Sequence, residues 1–479
     1  MKPTTVNKTD LLQQGRDIAL PFVLALADEV SPLVCHTLLR CLPKQRLTML
    51  ADFNGQTVVA KLFFAESDQR RDKEGIRIVR QAKISTPMIL YQGASDTNDV
   101  FINVYEYIEA AKPLSDYVDN NQLISDNLDV FEHTVITIAE MHQKNILQRD
   151  LHLDNFLLAE NTLYAIDGDE IFLPQWTLSK EDIFENLQLF FAQFTASNDF
   201  LIPGFYKLYC DSRGLEHNRA DTQALLEGTQ KQRQYRKKKY LQKIFRESTP
   251  FVYRRSWRQQ CVLSRGFEDH IEPLLLNLDE IIANAGEDDI LKSGRSATLV
   301  KARIDNKTYV IKRYNIKGLM HRLKRAVTKS RAWKSWRNAH MLKFIGVHTP
   351  QPVAMIERRW GPFKGTCYYI SEFCPGPRLL EYFSEADDKQ YDVAENIALI
   401  FDSFAKAQIS HGDTKHLNFI WCDNAVYVLD LDSLQEYKDK DLAKAALLKD
   451  IQRFLANWSD EPAIQELFIE QFNQRNLPL

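Results

Sequence analysis

Hydrophobic positions along this chain fall into a pattern that occurs twice. An apolar helical run, VITIAEMHQKNI from Val135, leads into a polar loop and two short apolar strands, NFLL and LYAI. A second run, IALIFDSFAKAQI from Ile397, leads into a polar loop, then NFIW and VYVL. Upstream of each, QTVVAKLFF and KTYVIKRYN read as strands that follow a turn signal, Asn54-Gly55 or Asp305-Asn306, of the kind that closes a hairpin. KISTPMIL around Pro87 and GVHTPQPV around Pro350 read as a helix end turning into a strand. The predicted order is therefore strands, a helix, more strand, then a helix and a hairpin, and it is repeated.

Polar residues repeat with the apolar ones. QRDLHLDNFLLAENTLYAIDGDEI, from Gln148 to Ile171, matches HGDTKHLNFIWCDNAVYVLDLDSL, from His411 to Leu434. Asn155 follows Asp150 by five residues and Asn418 follows Asp413 by five; Asp167 and Asp430 come twelve residues after those asparagines. Asp413 lies 263 residues after Asp150, a domain-sized period, and Lys312 lies 251 residues after Lys61. A core would not need these polar positions, so the duplicated unit carries chemistry.

Composition narrows the setting. The 479 residues suit two or three domains at roughly 100–200 residues each. Hydrophobic content of 44% and charged content of 26% are globular values that exclude disorder and fibre. The net charge of −3 argues against a generally basic nucleic-acid protein, and no nucleic-acid partner is expected. Seven scattered cysteines form no CxxC pair and fit a reducing compartment, with Cys210 and Cys261 as core residues. The apolar run Leu20 to Ala27 is short and flanked by Asp28 and Glu29, unlike a signal peptide, and no stretch approaches the roughly 18 apolar residues of a membrane span. A cytoplasmic protein is expected.

The hairpin in each copy brings an acid, an amide oxygen and a second acid to one mouth, the oxygen set that Mg²⁺ prefers. A lysine on a distant strand would neutralise phosphate oxygens. Together these are the parts of a phosphoryl-transfer site.

The pattern, Lys61…Asp150-x4-Asn155…Asp167 and Lys312…Asp413-x4-Asn418…Asp430, resembles the protein-kinase-like fold and specifically the bacterial lipopolysaccharide core heptose and Kdo kinase family. The resemblance covers nearly the whole chain, once per half. It implies an α+β protein of two tandem protein-kinase-like bilobal domains, each a small antiparallel sheet with a helix over a mainly helical lobe, at residues 1–260 and 261–479. It implies ATP and Mg²⁺ as cofactors. Lys61 and Lys312 would contact the α/β-phosphates, with Glu74, thirteen residues before Pro87, as the helix partner of Lys61. Asp150 and Asp413 would accept the proton of the substrate hydroxyl. Asn155 with Asp167, and Asn418 with Asp430, would hold the metal. Asp169 and Asp432, on the other side of the strand, are weaker candidates.

The two copies depart from the pattern in different ways. The first has Gln148 where His is usual, and LPKQRLTMLADFNGQTVVAK, its approach to Lys61, lacks a glycine-rich loop. The second has KSGRSATLVKA, whose Gly294 and Ser296 would let backbone N–H groups approach phosphates, but Arg337 stands thirteen residues before Pro350 in place of Glu. His411-Gly412-Asp413 lacks the arginine that reads an activating phosphate, and the 49 residues after Asp430 show no peptide-holding segment, which favours a glycan acceptor over a protein. The expected reaction is phosphorylation of a heptose or Kdo hydroxyl in the lipopolysaccharide inner core. A protein kinase with a regulatory pseudokinase half, and an inactive scaffold for envelope assembly, are the alternatives. Two basic runs, Lys231 to Arg246 and Lys312 to Lys343, suit an anionic glycan or peripheral contact with the inner face of the inner membrane. The second reads as an amphipathic helix with Leu319, Leu323, Val327, Trp333 and Trp336.

Overall fold

The computed structural model describes residues 4–28, 31–119, 122–123, 125–268, 275–304, 306–315, 328–361, 363–384 and 390–479. The chain divides into two compact units, the first running in the main up to Arg233 and the second in the main from Gln234 to Leu479. Residue 260 lies inside the strand Gln259–Ser264, which belongs to the second unit's sheet. Both units mix α and β structure.

The first unit opens with a seven-stranded sheet in the order Thr4–Thr5, Phe22–Leu24, Leu33–Leu42, Arg46–Phe53, Gln56–Phe63, Phe101–Glu106, Ile89–Ala94. Alternation in Gln56–Phe63 buries Val58, Ala60 and Leu62 on one face and leaves Lys61 on the other, opposite Thr48 and Asn103. The helix Glu66–Gln81 follows at once and buries Gln69, Asp72, Gly75, Ile76 and Val79, the three-and-four spacing of a single helix face. Below it, the helices Leu128–Gln143, Lys180–Phe191 and Ile202–Arg213 enclose a core in which Phe131, Phe190 and Phe194 pack edge to face.

The second unit repeats five of these strands in the same order and adds its other two at the opposite edge. Its sheet runs Phe251–Arg255, Gln259–Ser264, Pro352–Trp360, Phe363–Glu372, Lys307–Tyr314, Ala297–Ile304, Ile290–Ser293. Lys312 lies opposite Leu299 and Tyr369, the register of Lys61 in the other unit. The helix Arg331–Phe344 takes the place of Glu66–Gln81, and the helices Gln390–Ala407, Lys440–Ala456 and Pro462–Gln474 gather Phe401, Phe454, Trp458, Phe468 and Phe472 into one aromatic core.

The basic runs are only partly solvated. In the long helix Arg219–Lys243, Lys237 is buried against Glu436 at 2.6 Å, and Tyr240 and Ile244 pack on the second unit's core. Leu319, Leu323 and Val327 lie outside the described residues. Trp333 stacks on Phe245 with centroids 4.6 Å apart, and the fully buried Trp336 donates its Nε1–H to the Ile244 carbonyl at 2.9 Å. Trp336 is a core residue and Trp333 is half-buried against that core, a correction to their expected place on a surface-seeking face. Each has an apolar partner within the unit, which a sequence pattern cannot distinguish from a lipid. Among the described residues no helix is long and apolar enough to cross a membrane. All seven cysteines are buried.

Candidate active site

Each unit carries the repeated polar frame around a short hairpin separate from its seven-stranded sheet, Phe156–Ala159 with Thr162–Ala165 in the first and Phe419–Cys422 with Ala425–Val428 in the second, built by the same local rules. In the second unit, Asp413 sits in a loop held from below by the helix Lys440–Ala456. Asp450 on that helix is buried and accepts from the backbone N–H of His411 at 2.6 Å and of Gly412 at 3.0 Å. Burial pushes the Asp450 carboxyl up, with these two donors pulling it back. Gly412 has φ +80, a left-handed conformation, with the Ser433 carbonyl 3.3 Å from where a Cβ would stand. His411 donates from Nε2 to the Leu429 carbonyl at 2.9 Å, tying the loop to the second strand of the hairpin. Arg453, one turn beyond Asp450, lies 3.2 Å from Asp413 Oδ1, and Lys415 lies 3.7 Å from the same oxygen.

Asn418 spends its Nδ2 on the Asp413 carbonyl at 2.8 Å, so its Oδ1 is the atom left for a ligand. Asp430 has φ 55, a left-handed conformation costly for a non-glycine residue and concentrated at functional sites. Lys312 Nζ meets Asp430 Oδ1 at 2.5 Å. Burial opposes the charge of Lys312, but neighbouring Tyr314 and the carboxylates of Asp430 and Asp432 outweigh it and raise its pKa. Burial likewise opposes the Asp430 charge, and the Lys312 ammonium more than compensates, holding its carboxyl below the ordinary range. Gly294 and Ser296 form the turn between Ile290–Ser293 and Ala297–Ile304. Asn315 donates to the Gly294 carbonyl at 3.0 Å, and Arg331 reaches from the Ser296 carbonyl at 3.3 Å to the Asp432 carboxylate.

No carboxylate from the helix Arg331–Phe344 reaches Lys312, because RAWKSWRNAHMLKF contains no acid. Arg337 pairs instead with Glu436 at 2.7 Å. Ser335 takes the place facing the strand and bonds the Tyr314 hydroxyl at 2.6 Å.

The first unit brings together Lys61, Asp167 and a helix acid, but that acid is Asp72. Lys61 Nζ lies 2.6 Å from Asp72 Oδ1 and 3.1 Å from Asp167 Oδ1. Glu74, the expected partner, points to solvent and pairs with Arg77. This correction follows from helix geometry: two residues are about 200° of rotation, so Glu74 stands on the face opposite the buried Asp72. Asp167 is left-handed like Asp430, with φ 67. Burial works against its charge, but Lys61 and then Arg46 depress its pKa strongly. Asn155 spends its Nδ2 on the Asp150 carbonyl at 2.7 Å, and Asp150 itself is exposed. Gln148 replaces His411 and keeps its bond, donating to the Ile166 carbonyl at 3.2 Å, while Asn186 stands in for Asp450 by donating to the Gln148 carbonyl at 2.7 Å.

Sequence reasoning missed Arg46, Asp72, Asp450 and Arg453. Asp72 was findable by helical register with the apolar face; the others lie on elements outside the repeated frame.

A left-handed acid at the end of a hairpin, an asparagine with a free Oδ1 and a strand lysine on the acid define the phosphotransferase class of site. Residues 286–472, which include Lys312, Asp413, Asn418 and Asp430, match the lipopolysaccharide kinase (Kdo/WaaP) family. The match covers the second half of the chain alone; there it bears out the resemblance read from the motifs, and with it the expected enzyme class, a kinase. Among solved structures, the chain is similar to WaaP in complex with acyl carrier protein, at 16% identity and a TM-score of 0.29, over 45% of this chain and 98% of that one. It is likewise similar to the PknI kinase domain of Mycobacterium tuberculosis, at 14% identity and a TM-score of 0.29, over 45% and 99%. No curated protein matches the chain.

Proposed function

We propose that the protein is an ATP- and Mg²⁺-dependent phosphotransferase that phosphorylates a heptose or Kdo hydroxyl of the lipopolysaccharide inner core. Its two units are read as tandem copies of a bilobal kinase-like domain. The observation that carries this reading is the second unit's set of Lys312, Asp413, Asn418 and Asp430, held in one site within the segment that matches the family. Asp413 orients the acceptor hydroxyl and takes its proton as the oxygen attacks the γ-phosphorus. The bond to the β–γ bridging oxygen breaks and ADP leaves. Lys312 steadies the nucleotide phosphates. The residues present suit Mg²⁺ by their chemistry: Asn418 Oδ1 and the Asp430 carboxylate are hard oxygen donors that would hold it. When bound, the cation would neutralise the β- and γ-phosphate oxygens. Lys415 and Arg453 beside Asp413 add positive charge where an anionic saccharide would dock. The exposed basic residues of Lys231 to Arg246 support peripheral contact with the cytoplasmic leaflet.

The test is transfer of label from γ-labelled ATP with Mg²⁺ to dephosphorylated core oligosaccharide by the full chain. The reading fails if no label reaches the glycan, or if Asp413→Ala together with Asp150→Ala still transfers it. Label on protein substrates and none on glycan would instead favour a protein kinase.

A further inference from the structure

The two units spend their metal-binding acids differently. In the first, Asp72, Asp167 and Asp169 place carboxylate oxygens within 4.8 Å of one another, a grouping that by composition suits a divalent cation. The chain's own cations already fill it. Arg46, only 4% exposed, lies 2.7 Å from Asp167 Oδ1 and 2.9 Å from Asp169 Oδ2. Lys61 bridges Asp72 and Asp167, and Arg40 stands 3.7 Å from Asp167 Oδ2. The other Asp72 oxygen is taken by Asn103 and Tyr105. Three carboxylates therefore meet three cations. A further divalent ion would have to displace a buried guanidinium from its partners and sit against it, which low dielectric makes costly.

Strand register identifies the counterpart of Arg46. Thr48 lies opposite Lys61 and Leu299 opposite Lys312, so Arg46 corresponds to Ala297, which brings no charge. Asp430 is left with Lys312, because Arg331 from the helix draws off Asp432. The Asp430 side chain is 28% exposed against 11% for Asp167. The turn ahead of Arg46 is Pro43-Lys44-Gln45, where the second unit has Gly294-Arg295-Ser296.

Resting on the phosphotransferase reading above, we propose that the guanidinium of Arg46 stands in for the divalent cation in the first unit, that this unit holds no Mg²⁺-nucleotide, and that phosphoryl transfer belongs to the second unit alone. The first unit is then a structural copy whose acid cluster is neutralised from within.

The experiment uses the full chain, Mg²⁺ and an acyl-phosphate ATP probe that acylates a lysine beside bound phosphates, with sites mapped by peptide mass spectrometry. Lys312 is labelled in a Mg²⁺-dependent, ATP-competed manner and Lys61 is spared. Asp430→Asn weakens labelling of Lys312 by about tenfold or more, the usual loss on disturbing a metal site. Arg46→Ala opens Lys61 to labelling, whereas Arg46→Lys, which keeps a cation there, does not. Labelling of Lys61 in the unaltered protein overturns this inference and leaves the phosphotransferase reading standing. Labelling of neither lysine, with no rise in melting temperature on adding Mg²⁺-ATP, overturns both. If Arg46→Ala does not fold, the ratio of the two lysines in the unaltered protein decides alone.

Discussion

Gly75 and Gly168 meet so closely that a Cβ on Gly75 would stand 1.8 Å from the Gly168 carbonyl oxygen, and one on Gly168 would stand 2.1 Å from the Asp72 carbonyl oxygen. The buried face of the helix Glu66–Gln81 is thereby pressed onto the turn that carries Asp167. In the second unit the same two positions are Asn338 and Leu431, and contact is made by hydrogen bonds: Asn338 Nδ2 donates to the Leu431 carbonyl at 2.7 Å and to the Leu434 carbonyl at 3.2 Å. One unit docks its helix by absence of a side chain and the other by presence of one. Gly75→Ala is expected to destabilise the first unit by about 1–3 kcal/mol, because the atom it meets is backbone and cannot swing aside. Asn338→Ala leaves two carbonyls short of a donor and costs the second unit about 1–3 kcal/mol. Urea unfolding of each variant measures both; an unchanged midpoint for Gly75→Ala would show that the contact relaxes freely.

Asp450 controls the Asp413 loop without touching a substrate position. It accepts two backbone N–H groups of the loop, and its neighbour Arg453 donates to the Gly412 carbonyl at 3.2 Å. Asp450→Asn replaces an acceptor pair with a group whose amide would face two donors. The loop should shift, and kcat should fall by about 10²-fold with KM for ATP little changed, as for a displaced catalytic group. Steady-state kinetics separates the two constants. Loss confined to KM would place Asp450 in nucleotide binding instead.

Much of this arrangement is legible in the chain because duplication makes the sequence its own comparison. The strand lysines, the paired Asp and Asn, and the hairpin that delivers Asp167 and Asp430 all fall where spacing puts them. What escaped depends on contacts between elements distant in sequence. Arg46 reads as an ordinary strand residue until Asp167 arrives from 121 positions away. A count from Pro87 points to Glu74, whereas the face of the helix is set by Gln69, Ile76 and Val79 packing inward. The tryptophans of the basic run satisfy a membrane pattern and a core pattern equally, and only Phe245 and the Ile244 carbonyl decide between them.

Those tryptophans carry a prediction of their own. Trp336 is fully buried among Phe251, His340 and the second unit's core, so Trp336→Ala should cost about 3–5 kcal/mol of that unit's stability. Chemical denaturation followed by circular dichroism reports it. A variant that keeps its stability but loses sedimentation with anionic vesicles would return Trp336 to the surface.

Acid should loosen the first unit well above the range in which its carboxylates titrate. His142 is buried between the Tyr209 hydroxyl, 2.9 Å from Nδ1, and the Asn186 amide oxygen, 3.0 Å from Nε2. Burial is the largest influence and pushes its pKa down to about 4, with the Asn186 bond pulling the other way. The folded unit therefore keeps a neutral imidazole that donates to Asn186, which in turn holds the Gln148 carbonyl. The unfolded chain takes up its proton near pH 6.5, so between that pH and about 4 the unfolded state binds more protons and stability falls with pH, by up to about 3 kcal/mol. Below about pH 4 the loss from this group levels off, and the depressed Asp167 begins to lose its own contribution. His340, held well below its ordinary value by burial, should act in the same direction in the second unit. Urea midpoints at about pH 7 and about pH 5 should differ for the unaltered protein and converge for His142→Gln with His340→Gln. Equal midpoints in the unaltered protein would mean that His142 is protonated in the fold, with Nε2 still donating to Asn186 and the bond between Nδ1 and the Tyr209 hydroxyl drawn the other way.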